Sequence, residues 1–203
     1  MAETNNNEDI FKKIITTNSY VKKCVNDNKK VKDICSLSFL IDYPLTQRQC
    51  IKLGTSFEYC LNDTIKYSKF SLKNLKENNK LGSKQKDLLW IDNVNKNVYY
   101  AEIKGNLKLD TEKTNATINK CLEIQAELIA KYPQHKVHMF LIGARYYKKD
   151  IMPNFIKSKY EKIKNNLIGI NDFFDALQIP IKFKNEDEYK TILNFLSKAC
   201  FKY

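Results

Sequence analysis

Apolar and polar positions change period along this chain, and the change divides it. Near the start Ile10, Phe11, Ile14 and Ile15 recur at helical spacing. A second helix is expected over Leu45 to Leu61, with Cys50, Leu53, Phe57 and Leu61 on one stripe and Pro44 just before it. The charged, apolar-poor stretch from Ser71 to Gly82 suits a short helix and a loop. The period then shortens. Asp87 to Val94 and Asn97 to Lys104 are rich in β-branched and aromatic residues, and read as two strands turning through a two-residue loop at Asn95-Lys96. Gly105 and Asn106 end the second strand. A long helix is expected from a cap at Asp110 or Thr111 to about Tyr132, where Pro133 stops it, with Ile118, Cys121, Leu122 and Ile129 as its apolar stripe. Gln125 falls within that stripe and suits a structural hydrogen bond. Val137 to Gly143 is an unbroken apolar run of strand length. A short strand near Leu167 to Ile170 and helices over Asp172 to Leu177 and Glu186 to Phe201 complete the pattern. Asn185 and Glu188 offer a capping box for the last helix. This order implies an α/β layer structure with a mixed sheet.

The hairpin pattern groups side chains. Along the second strand Tyr100, Glu102 and Lys104 share one face, while Tyr99, Ala101 and Ile103 share the other. Folding about Asn95-Lys96 sets Leu89 opposite Glu102 and Asp87 opposite Lys104. Asp87, Glu102 and Lys104 then cluster at one end of the hairpin. A slip of one residue would carry Asp87 to the opposite face.

Composition adds a direction. The 203 residues carry a formal net charge of +12, with a pI near 9.3. Such a balance favours a polyanionic partner, although a lysine-rich surface also serves solubility. Five glycines and four prolines leave little room for long linkers, so a single domain over residues 1–203 is expected. Cys24, Cys35, Cys50, Cys60, Cys121 and Cys200 form no CxxC pair, and read as free thiols of a reducing, cytoplasmic setting. His135 and His138 have no cysteine cluster beside them, which argues against zinc. The first nine residues are polar and acidic, unlike a signal peptide, and no apolar run reaches membrane-spanning length.

Two carboxylates a few ångströms apart raise each other's pKa and call for a cation. Lys104 alone could serve as a plain salt-bridge partner. A divalent metal serves better, because Asp87 and Glu102 offer hard oxygens suited to Mg²⁺. The lysine ammonium could then orient a water or stabilise charge growing on a phosphate.

Asp87 followed across a hairpin by Glu102-Ile103-Lys104 resembles the PD-(D/E)xK nuclease superfamily, and within it the type II restriction endonucleases. The likeness extends to Lys86-Asp87-Leu88-Leu89, to Tyr100 through Asn106, and to Leu109 through Lys113. Leu53-Gly54 with Glu58 is similar to an upstream helix whose glutamate supplies a further metal-linked carboxylate. Gly54 there would admit a close backbone neighbour. Ile168 through Phe174 has a similar restriction-enzyme look. Lys86 stands where the motif often has proline. The resemblance implies a restriction-endonuclease-like fold, with a catalytic core over about residues 45–145 between helical parts at 8–44 and 155–203. It implies catalysis by Asp87, Glu102, Lys104 and Glu58. It also implies Mg²⁺ held at Asp87, Glu102 and Ile103.

The implied activity is cleavage of double-stranded DNA at a short, palindromic sequence, leaving 5′-phosphates. The enzyme would be a homodimer, away from membranes and alongside a cognate DNA methyltransferase. Lys86, Asn106, Lys108, Arg145 and Lys148 are the candidate DNA contacts. Arg145 opens the basic, aromatic run to Lys149. The same fold class also serves repair and junction-resolving nucleases. A nucleic-acid-binding protein without catalysis is the rival of another class. A membrane-surface protein ranks last, for want of a basic amphipathic helix with a bulky apolar face.

Overall fold

The computed structural model describes residues 7–24, 45–75 and 85–201. Cys35, Pro44, most of the stretch from Ser71 to Gly82, and the remainder of the expected N-terminal helical part lie outside the described residues. The chain divides into two compact units, one of residues 1–67 with 179–203 and one of residues 68–178.

The first unit is helical among its described residues. Helices α1 (Asn7–Thr17), α2 (Ser19–Cys24), α3 (Gln47–Asp63) and, at the far end of the chain, the helix Glu186–Phe201 bury Phe11, Ile14, Ile15, Leu53, Phe57, Leu61, Ile192 and Leu196. Helix α3 begins at Thr46, whose hydroxyl accepts from the Gln49 backbone while the Gln49 side chain returns to the Thr46 backbone. That reciprocal cap satisfies two otherwise unpaired groups. Asn185 accepts from the Glu188 backbone N–H at 2.9 Å, as expected of a cap, but the Glu188 carboxylate reaches Lys184 N–H instead. An added Cβ at Gly54 would meet nothing within 4 Å. The expected close neighbour of Gly54 is therefore absent among the described residues.

The second unit is a five-stranded mixed sheet in the order β1 (Leu72–Asn74), β2 (Leu88–Asp92), β3 (Asn97–Lys104), β4 (Lys136–Gly143), β5 (Leu167–Ile168). The first three strands are antiparallel neighbours, and β3, β4 and β5 run parallel. Residues 72–74 pair with β2 as a strand, where the sequence suggested a helix. Helix α4 (Thr111–Lys131) makes the crossover between the parallel strands β3 and β4, with Asp110 as its N-cap. Helix α5 (Asn154–Lys159) precedes β5, and α6 (Ile170–Ala176) follows it; the C-terminal helix of the first unit is α7.

Strands β2 and β3 are covered on both faces. On one face Leu89, Ile91, Val98, Tyr100, Met139 and Leu141 join Ile118, Cys121, Ile124 and Leu128 of α4 in the main core. On the other, Trp90 and Phe140 meet Phe173 of α6, with ring centroids 5.6 and 5.8 Å away. The stripe of α4 is rotated from the expected one. Ile124 and Leu128 are buried, while Leu122 and Ile129 are 41% and 54% exposed. Ile118 and Cys121 hold their expected place. Thr114 and Thr117 share the buried side, so its polar members hid the true axis of the stripe.

The hairpin register also differs from expectation. Leu89 pairs with Tyr100 and Asp92 with Asn97, so the loop spans Asn93 to Lys96 rather than Asn95-Lys96 alone. Buried Asp92 organises this wider loop. It accepts from the Val94 and Asn95 backbone N–H groups at 3.0 and 3.1 Å, and from the Asn95 amide at 2.6 Å. Lys96 closes the turn at φ 53°. The shift is by two residues. Side chains alternate with period two, so Asp87 stays on the Glu102 face.

Candidate active site

Asp87 lies immediately before β2, Glu102 and Lys104 near the end of β3, and the three meet at that end of the sheet. The Ile103 backbone N–H donates to Asp87 Oδ2 at 2.7 Å. This bond clamps the acid to the strand that carries Glu102. Among the described residues Asp87's other oxygen accepts no hydrogen bond. Lys104 Nζ stands 2.8 Å from Glu102 Oε1. The parallel register sets Glu102 beside Leu141 and Lys104 beside Gly143. The cluster thus sits at the carboxyl ends of parallel strands, where open α/β sheets place their ligands.

Glu102 is completely buried, yet surrounded by donors. Besides Lys104, the Tyr100 hydroxyl donates to Oε2 at 3.0 Å. Lys120 of α4 reaches Oε1 at 2.8 Å and Oε2 at 2.6 Å. Sequence reasoning missed Lys120. It is one lysine in a lysine-rich chain, and its only signal is a position beside the buried Thr117 and Cys121 on the helix that follows the motif.

Electrostatics follow from this packing. Burial, then the neighbouring Glu102, push Asp87 above the usual aspartate range, against the Ile103 N–H and the two lysines. Burial alone would lower Lys104, but Glu102 and Asp87 outweigh it and hold the amine above its ordinary value. Lys104 is therefore an ammonium at neutral pH, suited to orienting water or meeting an anion rather than to taking a proton. Burial, then Glu102, push the Tyr100 hydroxyl upward as well. The thiol of adjacent Cys121 is pushed up to about 12, so it is no nucleophile. Burial pushes the Tyr160 hydroxyl upward, against the Thr114 hydroxyl and the Lys104 charge beside it.

A raised Asp87 pKa has a sign for stability. The folded protein binds that proton more tightly than the unfolded chain does. The associated stability is full below the ordinary aspartate range and is lost as pH rises through the folded value. At neutral pH Asp87 is thus a cost to the fold. Asp87→Asn keeps an oxygen for Ile103 N–H and should stabilise the metal-free protein by about 0.5–2 kcal/mol, the usual gain from relieving a functional site. Thermal melts at about pH 7 and about pH 4, near the ordinary aspartate value, check this. The gain should shrink at the lower pH, and a destabilised variant would contradict the electrostatic account.

Comparison with protein-family models, with curated proteins and with solved structures gives no match. What the site can do rests on its own geometry.

Ile103 contributes its N–H to Asp87. Glu58 is half-buried on α3 and belongs to the helical unit, whereas Asp87, Glu102 and Lys104 belong to the sheet unit. Lys86 is drawn to α4, with its side chain 6% exposed and its ammonium 3.1 Å from Glu127. Asn106 turns back to accept from the Lys108 backbone at 2.8 Å, and the Lys108 ammonium lies over the Phe155 ring. Arg145 and Lys148 lie on the loop after β4, with the Lys148 ammonium over the Tyr147 ring. His138 pairs with Asn97 at 3.0 Å, a structural contact.

The segment Ile168 to Phe174 clamps that loop. Ile170 and Asn171 donate to the Tyr146 and Tyr147 carbonyls at 3.1 and 2.7 Å. Asp172 accepts from the Lys149 backbone at 2.6 Å. A Cβ at Gly169 would stand 2.6 Å from the Lys148 backbone, so only glycine lets the two segments touch.

The described residues contain no group of three or more histidine, cysteine or acidic side chains able to hold a metal. The candidate donor set is the pair Asp87 and Glu102. Two carboxylates suffice for Mg²⁺, which keeps several waters and takes further oxygens from a phosphate. The second Asp87 oxygen and the buried Glu102 carboxylate beside it are the hard oxygens such an ion would take.

Proposed function

We propose that this chain is a Mg²⁺-dependent DNA endonuclease of the type II restriction class, built on a PD-(D/E)xK site and a restriction-endonuclease-like sheet. The observation that carries this reading is the convergence of Asp87, Glu102 and Lys104, with the acid pair close enough for Glu102 to raise Asp87. The α/β architecture supports it, since a mixed five-stranded sheet offers the hairpin and the adjacent parallel strand such a site needs. The net charge of +12 suits a polyanionic substrate.

Asp87 and Glu102 would hold the metal, with Ile103 fixing Asp87 from the strand that carries Glu102. Bound Mg²⁺ would supply Lewis-acid charge beside the scissile phosphate. Tyr100 fixes the Glu102 carboxylate, and Lys104 presents an ammonium to a water or to phosphate oxygen. Water adds to phosphorus, the bond to the 3′ oxygen breaks, and the water's proton passes to solvent or to that oxygen. The products carry 5′-phosphate and 3′-hydroxyl ends. Asn106, Lys108 and the loop of Arg145 and Lys148 would meet the DNA backbone. Two-fold pairing of chains on a palindrome, and a companion methyltransferase, belong to the same reading. No helix among the described residues is long and apolar enough to cross a membrane.

One observation favours a rival. Two carboxylates and two lysines already balance in charge, as an ion-pair cluster in a non-catalytic nucleic-acid-binding protein would. Incubation with a long sequenced duplex and Mg²⁺, followed by end-mapping, separates the two. Discrete ends sharing one short sequence are expected. An intact duplex across divalent metals sinks the nuclease.

A further inference from the structure

Glu102 presents a difficulty for the metal it is proposed to hold. A carboxylate offers about four lone-pair sites. Four contacts already reach it: Lys104 on Oε1 at 2.8 Å, Tyr100 on Oε2 at 3.0 Å, and Lys120 on Oε1 and Oε2 at 2.8 and 2.6 Å. A cation cannot reach this side chain until one donor leaves. Tyr100 is fully buried. Lys104 occupies one oxygen only. Lys120 straddles both, as a divalent ion bound to this carboxylate would, and its side chain is 25% exposed. Its departure frees two of the four sites and returns an ammonium to water at low cost.

We infer that Lys120 is the built-in counter-ion of the Glu102 carboxylate, seated there until a divalent metal displaces it. This rests on the metal reading of the site and deepens it. Lys120 is a positioning residue: it holds the buried Glu102 carboxylate in place through both oxygens, and it sets how readily a metal enters. Because ammonium and metal compete for the same oxygens, removing the ammonium must tighten metal binding. It must also weaken the metal-free protein, which loses a partner of a buried charge.

The test uses Mn²⁺ as probe, with the full chain and without DNA. Mn²⁺ affinity is measured by titration calorimetry or by the loss of the free-ion paramagnetic signal. Lys120→Met should bind Mn²⁺ at least about tenfold more tightly than the parent protein. Its melting temperature should be lower without metal, and saturating Mn²⁺ should raise it more than it raises the parent's. Lys120→Arg, which keeps the charge, should return the affinity to within about threefold of the parent. Lys113→Met removes an exposed lysine paired to Asp110 on the same helix, and should leave the affinity unchanged. Equal Mn²⁺ affinity in Lys120→Met and the parent overturns the inference, as does an equal gain in Lys113→Met. If no variant and no parent protein binds Mn²⁺, the nuclease reading fails with it. If Lys120→Met does not fold, unaltered affinity in Lys120→Gln decides against the inference.

Discussion

Replacement of Glu102 by alanine is expected to produce the largest loss in this protein, in stability and activity together. The carboxylate is wholly buried and is the shared partner of Lys104, Lys120 and Tyr100. Breaking a buried ion pair from one side costs roughly 3–5 kcal/mol, because the remaining charge is left without compensation. Here the lysine side chains are 33% and 25% exposed and can recover water. The lower end, about 3 kcal/mol, therefore applies. A thermal melt should register a fall of roughly 6–12 °C for a chain of this length. Cleavage should drop by at least about 10³-fold, as expected when a main support of transition-state charge is removed. Glu102→Gln separates the effects. It keeps the volume and an oxygen for Tyr100, so stability falls less while cleavage falls as far. A Glu102→Gln protein that cuts DNA at the parent rate would remove Glu102 from the site.

Lys104→Ala is expected to act on chemistry and little else. Glu102 keeps Lys120 and Tyr100 in this variant, so the buried carboxylate stays paired and stability changes by about 1 kcal/mol or less. Cleavage should fall by about 10²–10³-fold, the usual loss when one donor aimed at developing charge is deleted. Duplex binding, measured with Ca²⁺ in place of Mg²⁺, should stay within about threefold of the parent, since one ammonium among many supplies little affinity. A non-catalytic binder would show no Mg²⁺-dependent cleavage in parent or variant. Weakened binding with unaltered cleavage per bound complex would reassign Lys104 to the DNA backbone.

Legibility in the sequence followed the physics of each element. The hairpin strands were readable because alternation and β-branched residues mark them, and α4 because Asp110 and Pro133 bracket it. The bounds of α7 were readable for the same reason: a cap precedes its apolar stripe. The register was not, because it is set by Asp92, whose buried carboxylate gathers loop amides that no local pattern displays. Alternation still placed Asp87, Glu102 and Lys104 together, since parity outlives an even shift. The rotation of α4 escaped because threonines occupy buried positions on it. Lys120 escaped because a lysine paired to a buried carboxylate and a solvating one look alike until a helix brings one of them to that carboxylate. The division into two units leaves no mark in composition, since no glycine- or proline-rich linker separates them.

The wider turn at Asn93 to Lys96 has a consequence for how this hairpin can vary. Asp87 stands at the start of one strand and Glu102 near the end of the next, and the turn that joins these strands lies at their other end. Trimming or lengthening that segment by residue pairs, with the ladder re-forming, would leave both carboxylates facing the same helix. Altering it by a single residue would turn one of them away. Related chains could therefore differ widely in turn length while respecting a rule of even numbers, and a redesigned turn that ignored the rule would lose its site without losing its strands.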